Sequence, residues 1–168
     1  MIVLFSSITI LNLLCLIAAT ALGYAGIRSA ATSQWHQLFA IFAAIVACGV
    51  HCIVMTYFMA TSKWVQHAIT VKHLDAKLAE STRSFKAQAY PAALLAIFMV
   101  LISSFAGAAT AGYEMRPTIH HALALATLLV NLLAAIFEYR AIARNGLLID
   151  GILARIGPQP DQQPAQIG

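Results

Sequence analysis

The chain has 168 residues, of which 61% are hydrophobic and only 10% are charged, and its mean hydropathy is +0.81. So little polar surface excludes a soluble globular protein, and the apolar runs are long enough to indicate an integral membrane protein. The formal net charge is +4, but the basic residues flank apolar runs. Anionic lipid headgroups, and not nucleic acid, are therefore the expected partner.

Four apolar runs predict four transmembrane helices, because a helix of about 20 residues crosses the hydrocarbon core of a bilayer. The connection between the first two runs is short, and so is the one between the last two, so the joined helices must be antiparallel neighbours. The predicted fold is an all-α membrane protein, an antiparallel four-helix transmembrane bundle formed as one domain by residues 1–156. The spans cover about residues 2–23, 35–61, 91–111 and 117–141.

Local signals mark the ends of the third and fourth helices. Pro91 stands near the start of the third span, where a helix tolerates proline because its first N–H groups are unpaired. Pro117 fits the first turn of the fourth helix, and Asn145-Gly146 is typical of a C-terminal cap. Residues 157–168, rich in Pro and Gln, predict a disordered cytoplasmic tail.

Between the second and third spans, residues 62–90 are polar with apolar residues at near-helical spacing. They predict an amphipathic cytoplasmic helical segment that runs out of the membrane or lies along its surface. Its basic residues are expected to contact anionic headgroups or a partner protein. They are Lys72, Lys77, Arg83 and Lys86.

Basic residues also predict the orientation of the chain. Every Lys and Arg except Arg28 and Arg116 falls on the side that holds both termini and the segment 62–90. By the positive-inside rule this side is the cytoplasm. The expected location is thus a multi-pass position in the membrane, the inner membrane if the source is bacterial, with both termini cytoplasmic.

Polar residues inside the spans form stripes that predict the interior of the bundle. His36 and His51 share a face of small residues on the second helix, and the fourth helix carries His120 and Glu138 on one face. Polar groups in a span are costly and usually face other helices. The predicted polar interior consists of Asn12, Thr127 and Asn131.

His36 and His120 lie near the outer ends of the second and fourth spans, and therefore at the same level. Imidazoles from two facing helices can hold a b-type haem between them. His121 is an equally near alternative on a different face of the fourth helix. The architecture resembles that of small four-span cytochrome b anchors, a likeness of architecture alone.

His51 lies about 22 Å along the helix from His36, well inside the hydrocarbon, and needs a partner. A hydrogen bond to Asn131, to Asn12 or to a backbone carbonyl is one interpretation. A second haem is another. A third is a Cu(I) or other soft-metal site, because thiolate and thioether ligands recur here at helical spacing. Its residues are Cys48, His51, Cys52 and Met55.

Glu138 is followed by Tyr139, which is typical of a membrane interface. The expected partner of Glu138 is therefore Lys63 or an Arg at a neighbouring helix end. No internal repeat, Gly-rich phosphate loop or nucleophile motif is evident, so no catalytic activity is predicted.

Two functions follow from these patterns. The first is a non-catalytic subunit or accessory factor that associates with other membrane subunits or with copies of itself. The second is an electron-transfer subunit that binds haem b between the second and fourth spans.

Overall fold

The computed structural model describes residues 2–26, 30–113 and 115–157. Apart from short connections, these residues form α-helices, each of which is long and apolar enough to cross a membrane. The predicted all-α four-helix fold of a multi-pass membrane protein is thereby confirmed. Arg28 and the predicted tail from residue 158 onward lie outside the described residues. The helices are α1 (Ile2–Gly26), α2 (Ala30–Lys72), α3 (Lys77–Gly112) and α4 (Pro117–Ile156).

Consecutive helices pack side by side, and α1 also packs against α4, which closes the bundle. Across the diagonals, α2 and α4 approach each other at a few positions, whereas α1 and α3 remain apart. The close approach depends on small residues: Ala47, Ala93 and Ala96 are completely buried. Small side chains let backbones come near enough for extensive van der Waals contact. Large apolar side chains such as Val3 and Phe105 cover the outside, 80% and 73% exposed.

Three of the helices extend well beyond the length of a membrane span. α2 has 43 residues, α3 has 36 and α4 has 40, compared with the roughly 20 that a bilayer requires. The segment 62–90 consists of the end of α2, a turn at residues 73–76 and the start of α3. It forms a helical hairpin that continues α2 and α3 and packs against the end of α4.

This projecting hairpin has an apolar core of its own. Val65 and Ala68 of α2 pack with Ile152 of α4, and Leu74 and Leu78 at the turn cover this contact. At the turn, the Asp75 carboxylate accepts a hydrogen bond of 2.9 Å from the backbone N–H of Lys77. Apolar burial therefore holds the end of α4 against the hairpin.

The prediction that α4 ends at Asn145-Gly146 is wrong. Asn145 is fully buried inside the helix, and its Nδ2 donates hydrogen bonds to Tyr57 Oη at 3.0 Å and Thr61 Oγ1 at 3.1 Å. Glycine in a helix interior costs about 1 kcal/mol relative to alanine. The burial of Ile152 against α2 offsets this cost, and the helix continues.

Pro91 also lies inside a helix and not in its first turn. A proline in a helix interior costs about 3 kcal/mol or more through the lost hydrogen bond and a steric clash. Neighbouring contacts offset this cost: Ala89 is fully buried, and Tyr90 Oη donates a 3.0 Å hydrogen bond to the Met55 carbonyl. The third helix therefore begins at Lys77.

The two hairpins α1–α2 and α3–α4 share a pattern of burial and histidine–carbonyl contacts that makes them an approximate twofold repeat. Adding 84 to a residue number in the first hairpin gives its equivalent in the second, as for His36 and His120 or Gly23 and Gly107. Few equivalent positions carry the same residue, so the repeat is hidden in the sequence, but the burial pattern is shared. Buried equivalents include Leu16 and Val100, Ala43 and Thr127, Ala47 and Asn131, Val54 and Glu138, and Phe58 and Ile142.

Candidate functional site

Polar side chains from α1, α2 and α4 meet in the middle of the bundle, and we call them the inner cluster: Asn12, His51, Asn131 and Glu138. Each is at most 2% exposed. His51 Nδ1 lies 2.7 Å from Glu138 Oε1, and His51 Nε2 lies 3.1 Å from Asn131 Oδ1. Asn12 Nδ2 donates a longer bond of 3.4 Å to the same Asn131 oxygen. Buried polar groups in a membrane need such partners, and here they find them in one another.

The orientation of Asn131 determines which nitrogen of His51 carries a proton. Asn131 Nδ2 donates to the Thr127 carbonyl at 2.9 Å, so the amide oxygen must be the atom that faces His51. Because an amide oxygen only accepts, His51 Nε2 must donate to it. The remaining His51 nitrogen and the Glu138 carboxyl then share one proton over 2.7 Å.

Not every polar atom of this region has a partner. Among the described residues, the buried oxygens Thr9 Oγ1, Asn12 Oδ1 and Glu138 Oε2 accept no hydrogen bond. Thr9 precedes Asn12 by about one turn of α1. Unsatisfied buried acceptors usually mark the position of a water molecule, a proton or an ion.

The structure corrects the prediction for Glu138. Its side chain is 0% exposed and bonds to His51, not to Lys63 or an Arg of a neighbouring helix end. Tyr139 is 45% exposed, and α4 continues past it to Ile156. Glu138 lies on the same face of α4 as Asn131. This shared face is the sequence signal that places Glu138 in the interior of the bundle.

His36 and His120 form a second site, nearer the other end of the bundle. His36 Nδ1 lies 2.9 Å from the Ala19 carbonyl oxygen of α1. His120 Nδ1 lies 3.1 Å from the Ser103 carbonyl oxygen of α3. In each hairpin the carbonyl precedes the histidine by 17 residues. The two rings are symmetry equivalents, with centroids 6.2 Å apart and planes inclined at 61°.

A glycine on the neighbouring helix makes room for each ring. A Cβ atom at Gly23 would lie 2.9 Å from His36 Cε1, and one at Gly107 would lie 2.9 Å from His120 Cε1. Such a distance is too short for carbon atoms in van der Waals contact. Both hairpins thus provide the same steric cradle for an imidazole.

Both histidines line a cavity of about 70 Å³. The lining residues come in equivalent pairs, one member from each hairpin. These pairs include Leu16 with Val100, Ala19 with Ser103, Thr20 with Ser104 and Ala40 with Ala124. Its other lining residues include Thr127, one turn of α4 before Asn131. The cavity therefore extends from the histidine pair to within about one helical turn, or 5.4 Å, of the inner cluster.

His121 does not line this cavity. Its ring packs on Tyr24, with centroids 5.0 Å apart, because one residue turns the side chain by about 100° around the helix. Of the two neighbouring candidates, His120 is therefore the one that faces His36.

The residues of the predicted Cu(I) site are not brought together. His51 is buried in the inner cluster, whereas Cys52 is exposed and Cys48 and Met55 are half-buried. Within residues 2–26, 30–113 and 115–157, no three His, Cys, Asp or Glu side chains are placed to hold a metal ion. The i, i+3, i+4, i+7 spacing puts these side chains on one side of α2, but that side lies across the edge of the bundle interior, so His51 points inward and Cys52 points outward.

Basic side chains lie on the projecting hairpin. Lys72, Lys77 and Arg83 are exposed, and Lys86 is half-buried.

Comparison with protein-family models, with curated proteins and with solved structures found no match to this chain. The geometry of the two sites therefore carries the functional argument.

Proposed function

We propose that the protein binds one haem b and carries electrons, with His36 and His120 as the axial ligands. The observation that carries this proposal is the matched pair of histidines, each held by a carbonyl of the adjacent helix. A carbonyl oxygen only accepts, so each Nδ1 carries the proton and each Nε2 keeps a lone pair. Metal-bound histidines in proteins usually have this second hydrogen bond.

The separation of the rings supports ligation on opposite sides of one metal ion. Bonds of about 2 Å from metal to nitrogen place two opposed Nε2 atoms about 4 Å apart and the ring centroids about 6 Å apart. The centroids of His36 and His120 are 6.2 Å apart. This distance agrees with that expected for two histidine ligands of one metal ion.

Two imidazoles favour haem over an isolated metal ion. A structural zinc ion takes four protein ligands, and among the described residues no third ligand joins this pair. Haem iron receives four nitrogens from the porphyrin and needs only two axial ligands, so two histidines are sufficient. The macrocycle is larger than the 70 Å³ cavity, and we expect the helices to separate around it on binding.

The test is the visible absorption spectrum of protein purified from haem-replete cells. Wild-type protein should show a reduced b-type spectrum, and His36→Ala and His120→Ala should each abolish its low-spin form, because the iron loses one axial nitrogen. His121→Ala is the matched control and should keep the spectrum, as should His67→Ala and His73→Ala in the projecting hairpin.

A colourless wild-type protein would overturn this proposal. The second candidate function, an accessory subunit, would then remain, and the projecting hairpin with its exposed Lys72, Lys77 and Arg83 would be the surface that meets lipid or a partner.

A further inference from the structure

The inner cluster breaks the twofold repeat of the bundle. The positions equivalent to Asn12, His51, Asn131 and Glu138 all carry apolar residues, in this order Ala96, Ala135, Ala47 and Val54. Three of these equivalents are at most 1% exposed, so packing in this fold does not require a polar side chain at such a position. We infer that the inner cluster is a proton-binding site, which takes up a second proton through the cavity of the histidine pair. Proton binding here requires no cofactor.

The hydrogen bonds fix how many protons the pair of His51 and Glu138 already holds. His51 Nε2 must donate to Asn131 Oδ1, since Asn131 Nδ2 is committed to the Thr127 carbonyl. One further proton lies between His51 Nδ1 and Glu138 Oε1. Whether this shared proton sits on nitrogen or on oxygen, the pair as a whole is neutral.

The unpartnered buried atoms beside the pair are all oxygens. Glu138 Oε2, Asn12 Oδ1 and Thr9 Oγ1 have no hydrogen-bond partner among the described residues, whereas both ring nitrogens of His51 have one. Loss of the shared proton would place a negative charge among oxygens that carry partial negative charge. A gained proton brings a hydrogen to a site that has too few, and hydrogen bonds to a charged form favour that form. The site therefore favours gain of a proton over loss.

In the proposed step, one proton enters from water and no bond between heavy atoms is broken. Afterwards His51 carries a proton on each nitrogen, and Glu138 is a neutral acid with its proton on Oε2. Asn12 and Thr9 provide unpartnered acceptors on α1, the helix that packs against α4 on this side. A buried positive charge is costly, so the second proton should bind only at acidic pH.

Polar contacts lead from the pair toward the cavity, whereas apolar contacts lie on its other side. Asn131 Nδ2 donates to the Thr127 carbonyl, and Thr127 lines the cavity. Toward the projecting hairpin, Val54, Phe58 and Ile142 belong to one apolar core and are at most 3% exposed. A charge enters such an apolar region only at high cost. The proton should therefore arrive through the cavity.

Few other titratable groups lie near the pair. Cys15 of α1 is buried and Cys48 of α2 is half-buried. Tyr57 of α2 accepts a hydrogen bond from Asn145, and Tyr90 of α3 donates to the Met55 carbonyl. The half-buried His36 and His120 line the far part of the cavity. Among the described residues, His51 and Glu138 are the only buried side chains that carry a formal charge at any pH near neutrality.

The experiment observes both members of the pair by solid-state NMR of the full-length protein in lipid bilayers. The double variant Glu80→Gln, Glu114→Gln leaves Glu138 as the only glutamate and does not alter the inner cluster. It is produced with isotope-labelled glutamate and histidine. Magnetisation transfer from the labelled carboxyl group across the 2.7 Å contact then selects His51 among the six histidines.

The chemical shifts give the number of protons on the pair. At about pH 8 we expect one shared proton, and at about pH 5 we expect an acid at Glu138 together with protons on both nitrogens of His51. A pair that still shares one proton at about pH 5 would overturn the inference, and the unpartnered oxygens would then belong to a water site. Absence of transfer between the two side chains would overturn it as well. Neither result affects the visible spectrum that tests haem binding.

The entry route is tested by narrowing the cavity. Ala124 lines it, so Ala124→Leu should slow the exchange of the shared proton for deuterium several-fold, as measured by the same NMR signals after transfer into heavy water. Ala122→Leu is the matched control at an exposed position of α4 and should exchange at the wild-type rate. Equal rates in Ala124→Leu and wild-type protein would show that the proton does not pass through the cavity.

Discussion

His51 and Glu138 illustrate how one buried pair depends on both of its members. Each side chain is almost completely buried, and each provides the other's shortest side-chain hydrogen bond, at 2.7 Å. Removing one member leaves a polar group without its partner inside the hydrocarbon, which costs more than removing both. The pair also breaks the twofold symmetry, because the equivalents of His51 and Glu138 are Ala135 and Val54.

We therefore predict a non-additive response to mutation of the pair. Glu138→Leu or His51→Leu alone should lower the free energy of unfolding by about 3–5 kcal/mol. The double variant should lie much closer to the wild type, because apolar groups then fill the site. Unfolding in mixed micelles with increasing SDS measures both quantities, and Glu80→Ala is the exposed control. Strictly additive losses would show that the two side chains do not interact.

At the scale of elements, the length of α2, α3 and α4 determines the shape of the molecule beyond the bilayer. The projecting hairpin would be solvated on all sides if α4 ended at Asn145-Gly146. Instead, α4 continues beside it and buries Ile152 to 1% exposure against Val65 and Ala68. If this region lies in water, as its polar composition predicts, the hydrophobic effect stabilises it more strongly than it stabilises the lipid-exposed part.

Ile152→Ala should destabilise this extension without disrupting the membrane bundle. Truncation of a buried isoleucine costs about 2–5 kcal/mol, so amide hydrogen exchange should accelerate at the end of α2, in the turn at residues 73–76 and at the start of α3. Leu153→Ala is a matched control, since Leu153 is 47% exposed, and should leave the exchange unchanged. Faster exchange throughout the transmembrane part would contradict this local role.

At the scale of the whole molecule, we predict the orientation in the membrane from the distribution of charge. If all four helices cross the membrane, both chain ends and the projecting hairpin should lie on one side. That side holds all of the basic residues except Arg28 and Arg116. Positive charges near membrane spans are retained in the cytoplasm.

A reporter fused after Gly168 should accordingly be active as a cytoplasmic reporter, and one inserted next to Gly112 should be active as an external one. Alkaline phosphatase and a fluorescent protein, which fold on opposite sides of a bacterial inner membrane, make the measurement. The reverse pattern would place the His36–His120 pair at the cytoplasmic end of the bundle.

The sequence alone determines the class of protein, the number of spans and the level at which His36 and His120 lie. Each of these properties depends on local features, namely the length of an apolar run, a helical periodicity or a count of charges. The face of α4 that carries Asn131 and Glu138 is local as well, which is why the sequence could place the polar interior.

Only the tertiary structure decided how these residues meet. The pairing of His51 with Glu138, the carbonyls that orient His36 and His120 and the cradles at Gly23 and Gly107 depend on how far each helix is shifted and rotated against its neighbours. Contacts between several helices at once set those shifts, and no single segment encodes them. The twofold repeat was hidden for the same reason, because packing requires equivalent positions to be buried and small but does not require them to carry the same residue.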